Sequence, residues 1–275
     1  MRHRFTILGC GSSGGVPRAG GDWGRCDPEN PRNRRRRCAL LIEQVGEEGV
    51  TRVLVDTGPD MREQLLAANV RALDAVVYTH SHADHIHGID DLRGFALAQG
   101  SRVPVYMDRA TRARAEEAFA YCFRPVAKGY PPILDAHEIN PGHAFVIEGA
   151  GGPLTLQPFA QVHGSIESLG YRVGDVAYSS DLNDLPLDSL PFVEGLVVWV
   201  IDALRYRTHA SHLTVDEAVH WLERMGAERG VLTNLHQDLD YETLRRELPD
   251  HIQPAYDLMV IEADQAGAPS RHQLP

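Results

Sequence analysis

Short apolar runs alternate with amphipathic stretches through the first half of the chain, a pattern that predicts alternating strands and helices. The apolar runs predict strands at 5–8, 38–42, 52–55, 75–78 and 103–106, and the amphipathic stretches predict helices at 61–68, 90–98 and 110–121. Tyr130-Pro131-Pro132 interrupts this alternation. The second half begins a new set of strands, so we predict an α/β protein made of two strand-rich halves.

The second half repeats the pattern with more strands and fewer helices. Its strands are predicted at 145–147, 154–159 (leading to 162–164), 171–173, 176–178, 196–201, 231–233 and 258–261, and its helices at 215–225 and 241–247. We expect one domain over residues 1–265 and a mobile tail over 266–275.

A cluster of histidines and one aspartate follows the apolar strand at 75–78. In an extended chain, residues two apart point the same way, so His80 and His82 can converge on one metal ion. Where the chain turns into a helix, Asp84 and His85 swing to another side and can hold a second ion. Solvated surface residues are the weaker interpretation of so regular a spacing.

At this motif the sequence resembles the metallo-β-lactamase superfamily. It is similar in particular to the branch that holds the cyclic-phosphate phosphodiesterase of the carbon–phosphorus lyase pathway and ribonuclease Z. The resemblance runs from the glycine-rich stretch 9–17 to the strand before Asn234. It implies a four-layer αββα sandwich of two mixed β-sheets flanked by helices, with two divalent metal ions, zinc or manganese, in a binuclear site.

Three further residues end apolar strands and complete this expectation. His163 precedes Gly164 and is interpreted as the third ligand of the first metal, the alternative being an ordinary buried histidine. Asp181 is the expected bridging ligand, because a carboxylate can bridge two cations, and the family's Ser-Asp motif supports it. Asp56 would orient a histidine ligand from behind or cap the next helix; the family's early aspartate motif favours the first role.

The seventh ligand is ambiguous because the family has Thr-His where this chain has Thr233-Asn234. Asparagine is a poor zinc ligand, whereas His236 would point the same way as Asn234 along an extended stretch. We therefore expect His236 to complete the second metal with Asp84 and His85, and Asn234 to lie behind the ligands.

His212 is the expected catalytic acid, together with Asp84 as a catalytic metal ligand. It precedes a helix that Thr214 and Glu217 would open with a capping box, and the family carries a catalytic histidine on such a loop. His209 is the competing choice. A pair of cations would lower the pKa of a shared water for attack on phosphorus, and His212 would protonate the leaving oxygen.

The glycine-rich turn after the first strand is the expected phosphate- or substrate-binding loop. Its backbone N–H groups and serines can face an anion, and a similar loop lies beside the active site in this branch. The residues concerned are Ser12, Ser13 and Gly14. A plain tight turn is the alternative. The arginines at 32 and 34–37 form either a solvated loop or a phosphate-facing rim.

Composition bounds the partners and the compartment. A formal charge of −11 argues against broad attraction to nucleic acid, and no apolar run approaches a membrane span, so we expect a cytoplasmic protein and leave a homodimer open. The four cysteines form no C-x-x-C pair, and Cys26 alone cannot complete a cysteine-rich zinc site.

The functional hypothesis is a binuclear metal-dependent phosphodiesterase that hydrolyses a small cyclic phosphate or a nucleotide-like phosphodiester. The alternatives are an RNA-processing endonuclease of the ribonuclease Z type, or a metal- and nucleotide-binding protein with little turnover.

Overall fold

The computed structural model describes residues 2–125 and 128–264. Within them the strands form two seven-stranded sheets. The first sheet contains β1 (Arg2–Gly9), β2 (Ala39–Val45), β3 (Val50–Val55), β4 (Ala75–Val77), β5 (Val103–Met107), β6 (Leu134–Glu138) and β14 (Met259–Asp264). Its strand order is β14-β1-β2-β3-β4-β5-β6, so the last strand returns to pair with the first.

The second sheet has the order β13-β12-β11-β10-β9-β8-β7. Its strands are β7 (Phe145–Ile147), β8 (Leu154–His163), β9 (Ile166–Val173), β10 (Val176–Ser179), β11 (Val198–Asp202), β12 (Arg229–Thr233) and β13 (Ile252–Pro254). The helices are α1 (Met61–Ala67), α2 (Ala83–Ile86), α3 (Arg93–Gln99), α4 (Arg109–Ala118), α5 (Ala120–Phe123), α6 (Val215–Arg224) and α7 (Tyr241–Glu247).

Three apolar clusters separate four layers. The central cluster joins the inner faces of both sheets through residues such as Phe5 and Tyr178. A second packs the outer face of the second sheet against α6 and α7, with Trp199 and Leu222 at its centre. The third packs α1, α3 and α4 on the outer face of the first sheet. The αββα sandwich predicted from the family resemblance is therefore confirmed.

In both sheets, parallel pairing directs the functional loops to one edge. Strands β3 to β6 are parallel neighbours, as are β10 to β13. Since parallel strands end at the same edge, the loops that follow them lie side by side. Polar residues stand at these carboxyl ends, among them Asp56 after β3 and Asp202 at the end of β11.

Hydrogen bonds also join the two sheets next to that edge. The Tyr171 hydroxyl in β9 donates to the Tyr78 carbonyl oxygen after β4 at 2.6 Å. Two residues earlier in β9, the Leu169 N–H donates to the Thr79 carbonyl oxygen at 2.8 Å. These bonds tie the segment that enters the histidine cluster to the opposite sheet.

A second set of hydrogen bonds joins the halves at the opposite end. Gln44 Nε2 donates to the Gly151 carbonyl oxygen at 3.0 Å. The Thr51 hydroxyl donates to the Gly152 carbonyl oxygen at 2.8 Å. The turn before β8 is therefore fastened to the β2–β3 hairpin.

Most predicted elements are present, but the sequence analysis missed β6, β13 and the first half of β9. Gly170 weakens the strand signal in β9, yet the fold requires it there: a Cβ at that position would lie 2.3 Å from the Phe159 ring of β8. The predicted helix at 90–98 is a 3₁₀ turn, Ile89–Leu92, followed by α3.

None of the helices in the described part of the chain has the length and hydropathy that crossing a membrane requires. The predicted tail over 266–275 lies outside the described residues.

Gly88, just after α2, lets the metal motif approach the loop after β3. Its N–H donates to the Thr57 carbonyl oxygen at 2.7 Å, and a Cβ would lie 2.3 Å from the Gly58 carbonyl oxygen. We expect Gly88→Ala to lower the free energy of unfolding by about 1–3 kcal/mol. Urea denaturation measures this.

The matched control is Gly94→Ala in α3, where a Cβ meets nothing within 4 Å. That change should raise stability by about 0.5–1 kcal/mol, because alanine favours the helix. Equal stabilities for the two variants would contradict the close approach at Gly88.

Candidate metal centre

Three histidines from both halves of the chain meet at the shared edge. His80 follows β4, His82 precedes α2, and His163 ends β8. One ligand atom of each lies within 4.8 Å of the others, and His82 Nδ1 is 3.2 Å from His163 Nε2. His80 Nε2 is buried and has no hydrogen-bond partner among the described residues. Such a nitrogen is costly to bury unless it binds something, and a metal ion is suited to do so.

A second group combines a histidine with two carboxylates. His85 Nε2 lies 3.1 Å from Asp181 Oδ2 and 3.4 Å from Asp84 Oδ2. Asp181 follows β10, so this group also joins the two halves. His80, His85 and Asp181 lie within 4.8 Å of one another, which puts Asp181 between the two groups, where the sequence analysis placed a bridging ligand.

Asp56 holds His85 from behind. Its Oδ2 lies 2.7 Å from His85 Nδ1 and accepts the Thr79 hydroxyl at 2.8 Å, while its Oδ1 accepts the Thr79 N–H at 2.8 Å. The carboxylate is completely buried. With Nδ1 engaged in this way, His85 directs Nε2 at Asp84 and Asp181, which fits the orienting role expected from the sequence.

Burial and charge act in opposite directions within the cluster. Burial and the neighbouring His85 hold the pKa of His80 well below its usual value, so His80 is a neutral, ligand-ready imidazole. Burial lowers the pKa of His85 too, but Asp181, Asp56 and Asp84 outweigh it and raise that pKa. The carboxylates around His85 therefore make this position favourable for a positive charge.

His212 faces the cluster from the loop before α6. Its Nδ1 lies 2.7 Å from Asp202 Oδ2, and the Thr214–Glu217 capping box fixes the start of the following helix as predicted. Burial lowers the pKa of His212, and the Asp202 carboxylate more than offsets this, so the pKa lies above its ordinary value. Burial raises the pKa of Asp202 to about 7.

The sequence analysis missed Asp202, although its position at the end of the apolar strand β11 repeats that of Asp56 after β3. Each carboxylate is fully buried and binds the Nδ1 atom of a histidine. A buried aspartate that ends a parallel strand next to a histidine cluster was therefore an available signal.

The structure does not place His236 in the cluster. The prediction assumed an extended chain, but β12 ends at Thr233 and Asn234 has a left-handed φ of 61°, so the two-residue alternation stops there. Asn234 instead reaches inward: its Nδ2 lies 3.4 Å from Asp181 Oδ1 and 3.1 Å from His212 Nδ1.

His236 belongs to a different contact at the margin of the site. Its Nε2 lies 2.6 Å from Arg18 Nη2, and its Nδ1 lies 3.2 Å from Asp238 Oδ2. Burial lowers the pKa of His236, and the charges of Arg18 and Arg205 lower it further against the opposing effect of Asp238. His236 is thus a neutral acceptor for Arg18.

The glycine-rich loop lies beside the chain segment that follows β12. The Ser12 N–H donates to the Leu235 carbonyl oxygen at 3.3 Å, and the Gly15 N–H donates to the Ser12 carbonyl oxygen at 2.8 Å. Ser12 is buried, whereas Ser13 and Gly14 are exposed. The predicted phosphate loop therefore adjoins the metal centre and presents two of its three residues to solvent.

The arginine-rich stretch is largely structural rather than a rim or a solvated loop. Arg35 is 2% exposed and donates to the carbonyl oxygens of Leu239 and His236 at 2.7 and 3.2 Å. Arg32 lies over the rings of Tyr241 and Tyr256. These contacts hold the segment after β12 in place. Cys26 is buried in the same region as a free thiol.

The donor set suits divalent metal ions. Neutral imidazoles and carboxylates are ligands that zinc and manganese accept. Ligand atoms from both sheets converge, and no atom of residues 2–125 or 128–264 is a hydrogen-bond partner for His80 Nε2. The structure brings together all the predicted ligands except His236. The residues brought together are His80, His82 and His163 on one side, Asp84 and His85 on the other, and Asp181 between the two sets.

The fold and this centre define a class of protein. The sequence profile described as "Beta-lactamase superfamily domain" matches residues 51–234, which is more than half of the 275-residue chain. The chain therefore belongs to the β-lactamase superfamily, and the resemblance inferred from the sequence is confirmed.

Particular relatives narrow the comparison. A crystal structure described as a new diphosphatase from the PhnP family shares 35% identity and a TM-score of 0.85, covering 96% of this chain and 98% of that one. An octanoyltransferase of Porphyromonas gingivalis (strain ATCC BAA-308 / W83) is 33% identical over 267 residues, which is 96% of this chain and 52% of that protein.

A ribonuclease Z of Bradyrhizobium sp. (strain ORS 278) is 41% identical over 145 residues, which is 52% of this chain and 45% of the relative. The chain spans about half the length of the curated relatives that it matches.

The contact between Asp56 and His85 leads to a prediction about metal content. We expect Asp56→Asn to weaken metal binding at His85 by about 10–100-fold, because the amide is a poorer acceptor for the N–H of the ligand's ring. Elemental analysis after dialysis against buffered zinc or manganese measures this loss.

Asp74→Asn is the matched control, since Asp74 Oδ2 accepts the Arg52 N–H at the opposite edge of the sheet. Its metal content should equal that of the wild type. Full metal occupancy in Asp56→Asn would show that Asp56 does not support a ligand.

Proposed function

We propose that this protein is a binuclear metal-dependent phosphodiesterase that hydrolyses a small cyclic phosphate or a nucleotide-like phosphodiester. The convergence of His80, His82 and His163 with a buried, unpartnered imidazole nitrogen is the observation that carries this proposal. His80, His82 and His163 would hold one ion. Asp84 and His85 would hold the other, with Asp181 between the two.

When bound, two divalent ions lower the pKa of water and stabilise charge on phosphoryl oxygens. The protein supplies the proton for the leaving group. Because Asp202 engages Nδ1 of His212, the opposite ring nitrogen, Nε2, is left to donate a proton to the departing oxygen. The Asp202 carboxylate raises the pKa of His212, which favours the protonated form that an acid needs.

The choice of a phosphate ester rests on the glycine-rich loop and on the relatives. Ser13 and Gly14 are exposed beside the centre, where backbone N–H groups can bind a phosphate oxygen. The structure with 35% identity is described as a diphosphatase, and it covers nearly the whole of both chains. The octanoyltransferase name belongs to a protein of which this chain spans about half, so we do not transfer it.

Two other functions make different predictions. The partial match to ribonuclease Z favours RNA cleavage as the second candidate. A charge of −11 opposes binding of a long polyanion, so we rank it below a small substrate. The third candidate is a metal-holding nucleotide-binding protein, because Asn234 stands where the family carries a ligand histidine.

Metal removal and a substrate panel separate these functions. We expect the metal-loaded protein to hydrolyse bis(4-nitrophenyl) phosphate, and a chelator to abolish hydrolysis until zinc or manganese is returned. Preferred cleavage of a precursor tRNA at ordinary salt would establish the RNA function instead. Tight nucleotide binding without hydrolysis of any ester would support the binding protein.

The role of His212 is tested by substitution. We expect His212→Ala to lower kcat for a poor leaving group by about 10²–10⁴-fold while retaining both metal ions. His209→Ala is the matched change, since its ring centroid lies 5.1 Å from that of His212. It should keep most of the activity. Loss of metal in His212→Ala would make His212 a ligand rather than the acid.

A further inference from the structure

Arg18 carries an unneutralised positive charge on the glycine-rich loop. Its Nη2 contacts His236 Nε2, a neutral acceptor, and within residues 2–125 and 128–264 no carboxylate oxygen lies within 4.0 Å of its guanidinium. Asp22 is close enough for Arg18 to lower the pKa of its carboxyl. However, the Asp22 oxygens accept hydrogen bonds from Gln237 Nε2 and the Gly24 N–H.

A line of hydrogen bonds fixes the position of this guanidinium. A guanidinium can only donate, so His236 Nε2 is the acceptor for Arg18. On the other side of the ring, His236 Nδ1 lies 3.2 Å from Asp238 Oδ2 and 3.2 Å from the Asp238 backbone nitrogen. The backbone N–H of His236 donates to the Leu204 carbonyl oxygen at 3.0 Å, which holds the His236 backbone against the segment that follows β11. Arg18 is therefore held although it is exposed.

The arginine lies next to the metal centre. Its Cγ and Nε lie 3.4 Å from the point where a Cβ of Gly14 would be, so its side chain crosses the predicted phosphate loop. His236 is two residues beyond Asn234, which contacts Asp181. The Cα atoms of these two residues are at most about 7 Å apart, so Arg18 contacts the same short segment that reaches Asp181.

The chemistry of the contact leaves donors for a ligand. Arginine has five N–H donors in a planar fork, and His236 uses only one of them. The Nε donor, the Nη1 donors and the second Nη2 hydrogen remain, so one edge of the fork can still bind two phosphate oxygens. In a protein of charge −11, a cation held at the mouth of the site attracts anionic groups selectively.

We propose that Arg18 binds a second phosphate group of the substrate, and that His236 and Asp238 position it for this task. The preferred substrate then carries two neighbouring phosphates, as in an ester of a nucleoside diphosphate. This inference rests on the proposed phosphodiesterase function, because it assumes that the first phosphate occupies the metal centre.

Binding measurements test the proposal without turnover. Calorimetry of the metal-loaded protein with AMP and with α,β-methylene-ADP should show about tenfold tighter binding of the diphosphate analogue. In Arg18→Ala that ratio should fall to about one, and Arg18→Lys should restore part of it, because lysine keeps the charge but loses the fork. His236→Ala should give an intermediate ratio, because the arginine loses its support.

Arg71→Ala is the matched control: Arg71 is exposed, contacts Asn69, and precedes β4 at the opposite edge of the sheet. It should keep the wild-type ratio. Equal binding of the two nucleotides by the wild type, or an unchanged ratio in Arg18→Ala, would overturn the assignment. Hydrolysis of bis(4-nitrophenyl) phosphate, which has one phosphate, reports separately on the proposed function.

Discussion

The buried carboxylate of Asp56 is the constraint on which the metal centre depends. A charged oxygen pair without solvent is costly unless each oxygen is hydrogen-bonded, and here Thr79 and His85 supply the partners. One side chain thereby joins the end of β3, the segment after β4, and helix α2. Asp56 also has a left-handed φ of 65°, a strained conformation that these bonds maintain. The orientation of the first ligands follows from this one residue.

The same arrangement recurs across the sandwich, where Asp202 holds His212 as Asp56 holds His85. In each sheet a parallel strand delivers a fully buried aspartate to the shared edge, and each aspartate fixes one imidazole. The first imidazole would serve a metal ion, and the second would serve the leaving group. Two chemically different tasks are thus placed a few ångströms apart by one structural device, used once in each half of the chain.

Much of the fold and of the cluster could be predicted from residues whose signals are local. The H-x-H-x-D-H spacing predicted four neighbouring candidate ligands, and His163 and Asp181 stood out as polar residues that end apolar strands. The prediction that His236 is a ligand required an extended backbone. The backbone leaves that conformation at Asn234, where tertiary contacts produce a left-handed turn. The burial of Arg35 was not predicted, because the neighbouring sequence does not show that a charged side chain will be buried among carbonyl oxygens. The contact between Arg18 and His236 joins residues far apart in sequence, which no periodicity reveals.

The hydrogen bonds between the sheets hold the candidate ligands of one sheet in position relative to those of the other. The hydrophobic effect is non-directional, so it fixes the relative position of the two sheets less specifically than hydrogen bonds do. The Tyr171–Tyr78 bond at one end and the Gln44–Gly151 bond at the other provide that specificity. His163 and Asp181 belong to the second sheet and the other ligands to the first, so a small translation between the layers would change the distances between these two sets. The alignment of ligands that come from two sheets therefore depends on hydrogen bonds formed outside the cluster itself.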